Sequence, residues 1–253
     1  MNVLLRTLSA EALKLRGTLA LWMCLIAPSS VVVLYVLQLT FVSYDRRPPM
    51  ASAQAWELFA GGVLALWTLL MQPLFLTLEA ALLAGLEHAN QQWKHLLALP
   101  LPRGVHYLAK LLALMAMAAL AMTVLCLLIA LGGWALSYLQ PLTGITGPPP
   151  WAFILPRIAM GYIAALLMIA IQTWVSVRWR SFTVAVSFGM TATVAGSLIG
   201  QSERFGHWYP WTMPVQILAR DQAHLDFVLI ASSVGCIVVT AAALWAFSRR
   251  ETS

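Results

Sequence analysis

Glu87, His88, Asn90, Gln91, Trp93, Lys94 and His95 fall within nine residues of a chain that is otherwise nearly free of charge. A carboxylate, an ammonium and two imidazoles so close together suit acid–base chemistry, metal binding, or docking by charge complementarity. The first two chemistries lack their other parts. His88 and His95 share a helix face, but no H-E-x-x-H accompanies them, and an exposed loop histidine is more often a solvated or docking group than a ligand. No G-x-S-x-G occurs, and there is no aspartate-rich pair for diphosphate-bound magnesium. No Gly is followed directly by Lys, so the chain also lacks the G-x-x-x-x-G-K-[ST] loop that cradles ATP phosphates. The cluster is left between docking on a partner and plain anchoring at a membrane interface.

The cluster needs an element to present it. From Glu87 to Leu99 there is neither Pro nor Gly; Trp93, Leu96, Leu97 and Leu99 form a helix-compatible apolar set, with Glu87, Asn90, Gln91 and Lys94 on a polar side. A short amphipathic helix along a membrane surface is expected, ended by Pro100 and Pro102. Arg103 and Lys110 then flank the next apolar run, where they can reach phosphates. A plain interfacial anchor would show the same composition.

The surroundings are those of a membrane protein. The chain has 253 residues, 61% hydrophobic and 9% charged, where a soluble domain carries about a quarter charged residues. Runs of about 20 apolar residues cross a bilayer as helices. The expectation is an all-α polytopic integral membrane protein, residues 1–253 forming one transmembrane domain with six spans at about 18–43, 58–84, 108–139, 153–177, 181–200 and 225–247. The first run is too long for the apolar core of a signal peptide and reads as an anchor. The third exceeds what a bilayer needs, so it tilts or projects as a helical extension. The fourth and fifth, separated by Arg178, Trp179 and Arg180, read as a tight hairpin.

With an inside N-terminus, Arg6, Lys14, Arg16, Lys94, Arg103, Lys110, Arg178, Arg180, Arg249 and Arg250 lie on the inner side, ten of the 15 Lys and Arg. That bias puts both termini in the cytoplasm. The net charge of +6 is then a topogenic and anionic-lipid signal, and no nucleic-acid partner is expected. Cys24, Cys126 and Cys236 read as small core residues with neither disulfide nor zinc spacing, and no metal site is expected. Trp22, Trp56, Trp134, Trp151, Trp174, Trp179 and Trp245 fall near span ends, where indoles favour the interface; Trp67 lies deeper, in packing or in a cavity wall.

Three further features remain. Glu79, near the inner end of span two, either faces protein or water as part of a gate or coupling network, or snorkels to the interface. Ala185, Gly189, Thr193 and Ser197 recur every four residues in span five, and Gly196 and Gly200 form G-x-x-x-G; the small face packs against another helix of this chain or against a second subunit. The outer segment holding Trp208, Tyr209, Pro210, Trp211 and Pro214 is an interface belt or a re-entrant turn. The 3–4 loop, with Gly144, Gly147 and Pro148 to Pro150, reads as a stiff external turn.

The order Glu87, Asn90, Trp93-Lys94, Leu96-Leu97, Pro100, Arg103, Tyr107, Lys110 resembles the first cytoplasmic loop of ABC transporter type-two permeases. It is most similar to the small six-span permeases of lantibiotic immunity and bacitracin-type resistance transporters. Glu11-Ala12-Leu13-Lys14-Leu15-Arg16 looks like that family's amphipathic N-terminal helix, and Tyr209 to Pro214 like its segment before the last span. His88, His95 and His106 have no place in the family pattern. The resemblance implies a cytoplasmic coupling helix in which Glu87, Asn90, Trp93, Lys94, Leu97, Pro100 and Arg103 dock on a separate ATP-binding cassette ATPase. It places Glu11, Lys14 and Arg16 beside that surface on an interfacial helix. ATP and Mg would sit on the partner, with no cofactor in this chain, and a second permease subunit would complete a half-transporter. It implies a multi-pass protein of the bacterial cytoplasmic membrane that exports a hydrophobic or amphipathic cargo such as a peptide antibiotic. Export of lipid, polysaccharide or a cofactor, and an ion-gradient-driven secondary transporter, are the alternatives. A secondary transporter would show related halves with broken spans, a symmetry not evident in the sequence.

Overall fold

The computed structural model describes residues 3–41, 50–89, 103–179, 181–202, 204–219 and 224–249. Helix α1 covers Val3–Leu15, and Gly17, at φ 74°, turns the chain into α2, Leu19–Thr40. That left-handed backbone suits a residue without Cβ. Helix α3, Ser52–Leu66, runs through a π turn at Trp67–Met71 into α4, Gln72–Ala89. Pro73 explains the π turn: it has no N–H to give, and its ring would collide with the carbonyl four residues back, so the backbone widens just upstream. Helix α5 is Arg103–Leu139, α6 Trp151–Ala164, α7 Leu166–Arg178, α8 Phe182–Ile199 and α9 Leu225–Arg249.

Six stretches are long and apolar enough to cross a membrane: Leu19–Thr40, Ser52–Gly85, Gly104–Leu139, Trp151–Arg178, Phe182–Ile199 and Leu225–Arg249. No strand occurs among the described residues, and the molecule is an all-α polytopic membrane protein. Helix α5, 37 residues and about 55 Å long, is its axis, packed against α1, α2, α4, α6, α7 and α9. It exceeds a hydrocarbon core of about 30 Å. Helix α9 shows why these helices suit lipid: Ile230, Val234, Ile237 and Val238 are exposed on one side, while Ser232, Cys236 and Ala243 are buried on the other.

Three details differ from the sequence reading. Trp56, read as an indole at the interface, is buried, with Nε1 donating to Thr146 O of the 3–4 loop at 3.1 Å, so its polar end is satisfied by the protein. The third helix begins at Arg103, directly after Pro102 and five residues ahead of the span read at about 108–139. The fourth span is not continuous but breaks at Ala165, where Ser232 of α9 inserts. Its hydroxyl donates to Ala164 O at 2.9 Å and accepts from Leu167 N at 3.1 Å, satisfying the groups that the break frees.

Candidate functional site

Helix α1 turns Thr7, Glu11 and Leu15 inward, spaced four apart, against α5. Glu11, expected on an interfacial helix, is only 4% exposed. Lys14 Nζ donates to Glu11 Oε1 at 2.9 Å, and Lys110 Nζ of α5 lies 3.8 Å from Glu11 Oε2. Lys110, 5% exposed, also donates to Leu83 O of α4 at 2.7 Å. One ammonium therefore ties together α1, α4 and α5. A buried lysine keeps its charge only with such partners, and here they come from two other helices.

Glu79 lies one turn before Leu83 on α4 and is 0% exposed. Snorkelling is thereby excluded. Neither carboxylate oxygen has a hydrogen-bond partner among the described residues. Ala80 and Leu83 of α4 and Lys110 and Leu114 of α5 border a narrow cleft with Thr173 and Ser176 of α7. Lys110, Thr173 and Ser176 thus gather where α4, α5 and α7 meet, at the end of α4 that leads into residues 90–102.

Among the expected docking residues, Glu87 lies in the last turn of α4 and Arg103 opens α5. Asn90, Trp93, Lys94, Leu97 and Pro100 lie outside the described residues. The junction of Glu11, Lys14 and Lys110 sits between the helices that bracket them. Arg16 is not part of it; it is exposed just beyond α1. Lys110 was visible in the sequence only as a cation flanking span three. The signal for its larger part was its position seven residues inside α5, where a cation must find partners in protein.

At the other end of the molecule, the segment after α8 folds back along it. Tyr209 Oη donates to Ala192 O at 2.9 Å, a carbonyl about 10 Å short of the end of α8. Trp211 is buried edge-on against Phe188, with ring centroids 5.7 Å apart. Thr212 donates to Gly206 O and Tyr209 O, and Pro214 opens a buried 3₁₀ turn, Met213–Leu218. Pro210 is partly buried, and Trp208 is 61% exposed beside an apolar cavity of about 350 Å³ shared with Ile199, Phe205 and Tyr209.

The small face of α8 is used within the chain. A Cβ at Gly189 would overlap Thr77 of α4, and one at Gly196 would press on Trp211 and Tyr209. Gln172 Nε2 of α7 donates to Ala185 O at 2.9 Å, closing the α7–α8 hairpin.

Residues 7–196, three-quarters of the chain, match the family model described as "ABC-2 family transporter protein". That range holds the Glu11–Lys110 junction, Glu79 and residues 90–102, and ends before the outer segment. No curated protein and no solved structure matches the chain.

Proposed function

Starting from a chain that belongs to the ABC-2 transporter family, and so is a membrane transport subunit and not itself the ATPase, we propose that it exports a hydrophobic or amphipathic cargo, powered by ATP bound with Mg on a separate ATP-binding cassette subunit. The family implies that partner. In this reading Glu87, Asn90, Trp93, Lys94, Leu97, Pro100 and Arg103 form the docking segment on the cytoplasmic side. Trp93 and Leu97 supply buried anchor area, and Glu87, Lys94 and Arg103 set register by charge.

The observation that carries the coupling reading is the double attachment of Lys110 of α5, to Glu11 of α1 and to Leu83 O of α4. A push on residues 90–102 reaches the membrane helices through α4 and α5. An ion pair to α1 makes the interfacial helix with Glu11, Lys14 and Arg16 move with them. Glu79, buried one turn further in with no hydrogen-bond partner among the described residues, belongs to the gate or coupling network that responds.

The outer segment of Trp208, Tyr209, Pro210, Trp211 and Pro214 is read as re-entrant, shaping the exit. Support comes from the depth at which Tyr209 meets α8 and from backbone groups bonded within the turn. The protein is placed in the bacterial cytoplasmic membrane with both termini inside, as the Lys and Arg bias favours, and pairs with a second permease subunit. A peptide antibiotic, in immunity or resistance, is the favoured cargo because it fits apolar spans and the similarity to lantibiotic and bacitracin-type permeases. The test is reconstitution of the chain with its ATPase in proteoliposomes and a fluorescent amphipathic peptide. ATP-dependent movement of the peptide supports the cargo; ATP-dependent movement of lipid in its place removes it.

A further inference from the structure

We propose that the groove between α1 and α5 is a binding site for one phospholipid, its acyl chain laid along α5 and its phosphate held by Arg16. The groove has a volume of about 370 Å³ and is lined by Leu8 and Leu15 of α1, Leu21 of α2, and Leu112, Ala116 and Leu120 of α5. The three α5 residues recur every four positions, an apolar strip about 12 Å long that is exposed along its length. Apolar side chains lining a groove gain dispersion contacts from whatever lies along it. An alkyl chain supplies them.

Charge selects what carries that chain. Arg16 is the one charged side chain among the described lining residues, it is exposed, and it forms no ion pair among the described residues. Lys14, two residues earlier, is already bonded to Glu11. Gly17, at φ 74°, turns the backbone immediately after Arg16, so the guanidinium stands where α1 meets the start of a membrane helix. A guanidinium beside an apolar strip at that level matches a lipid phosphate above its acyl chain, and Arg binds phosphate through paired donors. A second copy of this chain would need an anion opposite Arg16 as well as an apolar ridge, whereas a phospholipid carries both features in one molecule.

The proposal requires only the membrane-spanning fold, so it stands or falls apart from the coupling reading. The experiment places the purified permease in phosphatidylcholine nanodiscs with phosphatidylglycerol spin-labelled on its acyl chain. Electron paramagnetic resonance then reads the motionally restricted fraction. Wild type is expected to show a saturable restricted component above the annular background. Arg16→Gln lowers its apparent affinity about fivefold, the worth of one cation near a phosphate surface, and Ala116→Trp abolishes it by filling the groove. Both positions are exposed, so the variants are expected to fold, which circular dichroism and gel filtration check. Excess inorganic phosphate leaves the component in place. Three results each overturn the proposal: a restricted component unchanged in both variants, which means annular lipid only; displacement by phosphate, which means an anion site without a chain; and cross-linking between copies through Ala116→Cys, which means a protein occupant.

Discussion

Lys110 shows what a single side chain decides in this molecule. Its ammonium is buried and bonded to partners on two other helices, so Lys110→Met leaves Glu11 inside the protein with Lys14 as its remaining cation. Removing one partner of a buried pair typically destabilises by about 3–5 kcal/mol. The lower end of that range is expected because Lys14 stays, and thermal unfolding in detergent measures it. Glu79→Gln is expected to behave in the opposite way. It keeps the shape and removes a carboxylate that has no hydrogen-bond partner among the described residues, so stability holds or rises while transport falls. Comparing unfolding midpoints with ATP-driven uptake separates the two effects; equal loss of both would make Glu79 a structural residue. The sequence pointed to Glu79 as an expensive group in a span, but a carboxylate that far along a helix looks the same whether it faces water, protein or headgroups. The burial of Glu11 was not legible for a different reason. An amphipathic pattern marks the polar side of a helix, and here part of that side faces another helix that supplies its own cation.

Between helices, small residues and single hydroxyls make some of the closest contacts. Gly189 lets α8 approach Thr77 of α4, and Gly189→Leu is expected to destabilise the fold by about 1–3 kcal/mol through overpacking, read as a lower unfolding midpoint. Ser232→Ala would strip two hydrogen bonds from the α6–α7 break and lower stability by about 1 kcal/mol, within what polar contacts between membrane helices contribute. The six apolar runs were readable because a bilayer demands length and hydrophobicity from each helix in isolation. The break at Ala165 was not, since its cause is a serine 67 residues further along the chain. The π turn had a local cause in Pro73, yet proline at that position is equally compatible with a simple kink. The stripe of Ala185, Gly189 and Thr193 told of a close approach without telling which partner, and the structure gives that partner as α4.

Taken as one body, the chain has two specialised ends joined by a long central helix. One end gathers Glu11, Lys14 and Lys110 at the root of residues 90–102, and the other folds Tyr209 and Trp211 back against α8. Helix α5 begins at Arg103, beside the first end, carries Lys110 on its second turn and runs 37 residues to Leu139. Membership of the ABC-2 family gives that arrangement its partner, an ATP-binding subunit outside the membrane. The central claim is that this partner docks on residues 90–102. It is tested most directly by purifying the tagged chain from its native host in mild detergent, identifying what accompanies it by mass spectrometry, and assaying ATPase activity. A soluble ATP-binding cassette protein is expected with the wild type and lost with Trp93→Ala or Glu87→Ala while the permease itself stays folded. A folded wild-type chain that brings no ATPase, and that transports in proteoliposomes on an ion gradient alone, would contradict it.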